Sequence, residues 1–75
     1  MNKQRRKMIA EVVERIEAAK GDLETIRDEE QDAFGNMPEG LQGSLRGEAM
    51  EESIESLDNA VGAIEDALEY LEEVE

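Results

Sequence analysis

Asp28, Glu30, Asp32 and Glu39 fall at positions 1, 3, 5 and 12 of a twelve-residue window, the spacing with which an EF-hand loop surrounds calcium by oxygen. Such a loop needs glycine at its sixth position to turn sharply, and Ala33 stands there, with Pro38 at the eleventh. Asp28 and Glu30 read better as the continuation of a helix. Carboxylate pairs with di-iron spacing are frequent in a chain this acidic, but a di-iron bundle also needs Glu-x-x-His motifs, and the chain has no His and no Cys. Imidazole and thiolate are thereby missing as metal ligands, nucleophiles and general bases. The segment Gly40 to Gly47 carries glycines without the lysine and preceding strand of a phosphate-binding loop. The expectation is a protein that is not an enzyme, with no catalytic residue, no metal site and no cofactor.

Charge leaves two readings open. The chain has 21 acids against 8 bases, a net charge of −13, which repels nucleic acid and anionic membrane and favours a basic partner or plain solubility. Eleven acids lie between Glu48 and Glu75 against one base, Arg46. That is roughly one acid per 4 Å of helix, close to the one phosphate per about 3.4 Å of a DNA strand. Glu51, Glu55, Asp58, Glu65, Asp66 and Glu69 are the candidate partner-binding acids on this face, either as a mimic of nucleic acid or as a solvated surface. Lys3 to Lys7 is basic enough for the start of a signal peptide, but Glu11, Glu14 and Arg15 break the apolar stretch that should follow. No run approaches the 18 to 20 apolar residues of a spanning helix, and a cytoplasmic location is expected.

The elements that carry these residues can be read from periodicity. Ile9, Val12, Ile16, Ala19, Leu23 and Ile26 alternate steps of three and four, as do Met50, Ile54, Leu57, Val61, Ile64, Leu68 and Leu71. Each set is a heptad seam. The fold class is all-α: an antiparallel, coiled-coil-like helical hairpin in a single domain over 1–75. The spacing predicts a helix over about 3–34, a turn over about 35–44 and a helix over about 45–74. The turn holds Pro38 and three of the six glycines, which can supply positive φ where a helix stops. Ser44 is the N-cap of the second helix, and a short helical turn fits Pro38 to Gln42. Partners whose numbers sum to 80 bring the seams together with apolar residues on both sides, from Ile9 with Leu71 to Ile26 with Ile54. The rod is then about 45 Å long at 1.5 Å per residue. The bases Lys3, Arg5, Arg6 and Lys7 would lie beside Glu69, Glu72, Glu73 and Glu75.

One shared seam is a thin core, and small chains need more. The second helix offers a second, small-residue face in Ser53, Ser56, Ala60, Ala63, Ala67, Tyr70 and Val74. Ala60, Ala63, Ala67, Tyr70 and Val74 form the expected dimer face, giving a four-helix bundle with the second helix central. At the turn, Phe34, Met37 and Leu41 with Leu45 either cap the closed end of the bundle or form a partner-binding tip.

The stretches Arg27-Asp28-Glu29-Glu30-Gln31 and Asn36-Met37-Pro38-Glu39-Gly40-Leu41-Gln42-Gly43-Ser44, with the opening Met1-Asn2-Lys3-Gln4-Arg5-Arg6-Lys7, carry a resemblance over nearly the whole chain. The sequence resembles small uncharacterised helical-hairpin proteins of phages, prophages and mobile elements of Gram-positive bacteria. That resemblance transfers no site residue. It implies an accessory role in a bacterial host cell. One such role is an acidic, nucleic-acid-mimicking inhibitor that blocks a basic host defence protein, as an anti-CRISPR does. The alternative is a structural module whose activity is homodimerisation or assembly. Itself and a basic host protein are the expected partners, with no direct nucleic acid and no membrane.

Overall fold

The computed structural model describes residues 1–74; Glu75, read above as part of the acidic end, lies outside the described residues. Helices α1 (Lys3–Gly35), α2 (Glu39–Gln42) and α3 (Leu45–Glu72) follow one another, and the two long ones pack in an extended, hairpin-like arrangement. The rod measures 58 × 15 × 12 Å; the 33 residues of α1 account for about 50 Å of its length at 1.5 Å per residue, and the turn and the chain ends extend it beyond the expected length.

Local chemistry sets the helix ends. Asn2 caps α1, its side-chain oxygen accepting a hydrogen bond from the Arg5 N–H at 2.8 Å and satisfying one of the four orphan donors of the first turn. Ser44 caps α3 in the same way and accepts from the Gly47 N–H at 3.3 Å. The expected role of glycine at the first stop is corrected, since no described glycine takes a positive φ. Instead α1 ends on Asn36 in a right-handed conformation. Its N–H reaches the Asp32 carbonyl at 3.0 Å, and Pro38 follows with extended backbone and no N–H to continue the ladder.

The turn is stitched from one side chain. The Gln42 amide donates to the carbonyls of Phe34 at 3.2 Å and Met37 at 3.1 Å, joining the Met37 N–H on the first and satisfying the second just beyond the end of α1. This draws α2 onto the first turn of α3, where Gly47 is one of two buried residues among those described. A Cβ at Gly47 would collide with the Gln42 carbonyl oxygen and lie 2.8 Å from the Leu41 carbonyl oxygen. The capping position that commonly holds Glu is therefore a glycine because backbone occupies the space.

Between the long helices the contact is narrow. On α3 the seam is as the spacing predicts, with Met50, Ile54, Leu57, Ile64, Leu68 and Leu71 half-buried and Val61 buried at 4% exposure. On α1 the contact is rolled. Ile9, Ile16 and Leu23 are half-buried together with Val13, Lys20 and Arg27, whereas Val12, Ala19, Ile26 and Ala33 are exposed. The expected rungs through Val12, Ala19 and Ile26 are thus corrected. The aliphatic stems of Lys20 and Arg27 lie along the contact while their charged ends reach acids of α3.

The crowding at Gly47 gives a prediction. Gly47→Ala lowers stability by about 1–3 kcal/mol, as overpacking does, while Gly21→Ala, where an added Cβ meets nothing within 4 Å, raises it by about 0.5–1 kcal/mol. Urea unfolding followed by helical circular dichroism measures both; equal effects of one sign would refute the close approach.

Candidate protein-interaction surface

Heptad lettering locates what the roll exposes. With Ile9, Ile16 and Leu23 at a, the exposed Val12, Ala19, Ile26 and Ala33 are at or in line with d, and Val13, Lys20 and Arg27 are e. With Ile54, Val61 and Leu68 at a of α3, Asp58 and Glu65 are also e. In an antiparallel pair the e residues of both helices line one side and the g residues the other. The e side is closed by two ion pairs, Arg27 Nη1 to Asp58 Oδ1 at 2.9 Å and Lys20 Nζ to Glu65 Oε1 at 3.5 Å. Arg27 also reaches Asp28 at 3.2 Å. The hydrogen bond to Asp58 holds the Arg27 guanidinium pKa above its ordinary value, desolvation opposes this, and Asp28 adds to the rise.

The opposite side is open. Ile26 is 51% exposed, although the side chain of its neighbour Arg27 is only 22% exposed. A charged residue is thus better covered than the isoleucine beside it, the reverse of the usual order of burial. Along the same side run Met8 and Val12 of α1 and the small residues Ser53, Ala60 and Ala67 of α3. Shallow apolar grooves continue it to both ends, one lined by Met1, Met8, Val12 and Leu71, the other by Ala33, Met37, Leu41 and Met50.

The sequence-derived surfaces fall into place around this side. Of the small-residue face, Ala60 is half-buried, and Ala63, Ala67, Tyr70 and Val74 are exposed. At the tip, Phe34 and Met37 are half-buried, while Leu41 and Leu45 stand 53% and 86% exposed. Leu41 and Leu45 therefore do not cap the end of this chain. The six candidate acids are all exposed. Asp58 and Glu65 are engaged with α1, leaving Glu51, Glu55, Asp66 and Glu69 without an ion pair among the described residues. The expected pairing at the open end is corrected as well. Among the described residues, none of Lys3, Arg5, Arg6 and Lys7 forms an ion pair, and Arg6 instead donates to the Met1 carbonyl at 2.9 Å.

Asp28, Glu30 and Asp32, which shared the calcium-loop spacing, lie within the continuous α1. Among the described residues no group of three carboxylates is arranged to hold a metal ion, and no helix is long and apolar enough to cross a membrane. The open side of α1 escaped the sequence reading because a seam of period 3.5 does not say which of its flanks a single partner covers. The signal was present in Lys20 and Arg27, whose positions face Glu65 and Asp58. No protein family matches the chain, and no curated protein or solved structure matches it.

With two ion pairs between the long helices set against a net charge of −13, repulsion governs the response to salt. Raising sodium chloride from about 20 mM to about 0.5 M, which shortens the Debye length to a few ångströms, raises the thermal midpoint. A midpoint that falls with salt would show the cross-helix ion pairs to be the larger effect.

Proposed function

We propose that this chain is a non-catalytic accessory protein that acts by completing a helical bundle, burying its open apolar side against other helices. The inversion at Ile26 and Arg27 carries the reading. An isoleucine half in water beside a covered arginine is unfavourable in an isolated hairpin, and covering Ile26, Val12 and Ala19 removes the conflict. The small residues Ala60, Ala63 and Ala67 favour the reading because they let another backbone come close. Homodimerisation or assembly is then the activity itself, in the cytoplasm of a bacterial host cell.

A second reading draws on a different observation, the exposed Glu51, Glu55, Asp66 and Glu69, which form no ion pair among the described residues. Their density along α3 suits a basic groove built for nucleic acid, and with the resemblance to phage and mobile-element proteins it supports an inhibitor of a host defence protein, in the manner of an anti-CRISPR. The two surfaces are separate, so one experiment distinguishes them. A photo-reactive amino acid is placed at Ile26 or at Asp66 in cells expressing the protein. The bundle reading expects adducts from position 26 that survive high salt. The inhibitor reading expects adducts from position 66 that fade as ionic strength rises. No adduct from position 26 refutes the bundle reading.

A further inference from the structure

We infer that the open side is covered by a second copy of this chain, packed antiparallel about a two-fold axis that passes Ala19 of α1 and Ala60 of α3. The inference rests on the bundle reading above and names the occupant of its open side.

Area comes first. A compact monomer of 8.4 kDa exposes about 4,600 Å², whereas this chain exposes 5834 Å². The excess of about 1,200 Å² exceeds the roughly 800 Å² per partner of a standard interface. With Val61 the one buried hydrophobic residue among those described, the chain has little core of its own. A second copy supplies the missing layer without any other component.

Symmetry and charge choose the arrangement. If α1 lies antiparallel to the α1 of the copy with Ala19 on the axis, facing residues have numbers that sum to 38. Val12 then meets the copy's Ile26, so the exposed d residues cover one another. Arg15, which has no ion pair among the described residues, falls beside the copy's Asp22. The basic turn Lys3 to Lys7 arrives within one helical turn of the copy's Asp28, Glu29 and Asp32. On the other half of the interface, Ala60 faces Ala60 and Ser53 faces Ala67, where small side chains allow close packing. A parallel arrangement sets each residue near its own counterpart. It would stack the two basic turns together and leave the acid-rich tips facing each other, a like-charge juxtaposition that costs association.

Light scattering on a sizing column tests the occupant, and cysteine pairing tests the orientation, since the chain has no native Cys. A mass about twice 8.4 kDa at low and high salt is the expected result. Under oxidation Ala19→Cys links to its own copy. Ile26→Cys does not, because the two positions are about 20 Å apart, far beyond disulfide reach, yet it links when mixed with Val12→Cys. Self-linking of Ile26→Cys as fast as Ala19→Cys would overturn the antiparallel arrangement. A helical monomer in the unmodified chain would overturn the second copy as occupant, while adducts from position 26 to another protein would still sustain the bundle reading.

Discussion

Two helices in contact can bury only one stripe each, and this limit governs the molecule. Ordering a chain costs on the order of 1.5 kcal/mol per residue, and against that cost the described residues set one buried hydrophobic side chain, Val61, and a row of half-buried ones. Every other feature follows from how α1 divides its apolar residues between the helix it touches and the water it faces. The caps at Asn2 and Ser44 and the Gln42 stitch fix the ends of the rod. They do not enlarge its core.

The roll of α1 shows which interaction prevails when the seam is undersupplied. In a seam centred on a and d, Val12, Ala19 and Ile26 would face α3 and Lys20 and Arg27 would stand at its margin. In the structure the long polar residues lie closer in, because their stems cover apolar surface while their charged ends meet Asp58 and Glu65. A single partner helix leaves the d residues outside, and a further layer on that side would recover them. The same roll therefore closes one side with ion pairs and leaves the apolar residues of the other exposed.

This division explains what the sequence made legible. The α3 seam could be read directly because its apolar residues are large, regularly spaced and point at the one neighbour it has. Ser44 was recognisable as a cap from residue type alone. Asn2 could have been found by the same rule, since an Asn ahead of a basic helical run is a strong N-cap. The reason for Gly47 lay beyond the sequence, because it depends on where the Gln42 and Leu41 carbonyls arrive after a turn whose path no local pattern specifies. The α1 contact was only half legible. Its heptads identify the apolar residues, but which flank is covered depends on α3 and on Lys20 and Arg27 finding acids across the contact. The acids of α3 were legible as a charged surface, yet the loss of Asp58 and Glu65 to internal pairs required the register.

Charge is the last constraint, and it acts against association. Two copies together carry twice −13, so any self-interface must keep acids at its margin and place the few bases where they neutralise most. The sequence does this unevenly: four of its 8 bases sit within Lys3 to Lys7, and four of the nine acids of α1 are packed into the stretch from Asp28 to Asp32 at its far end. Such polarity along one helix has little value within a hairpin whose other helix is acidic throughout. It becomes favourable when the same helix from another copy runs the opposite way. In the proposed dimer the apolar stripe would provide the attraction and the charge gradient would select direction, leaving the acid face of α3 exposed. Self-association through one side and acid-driven recognition through the other are thus compatible in the same rod.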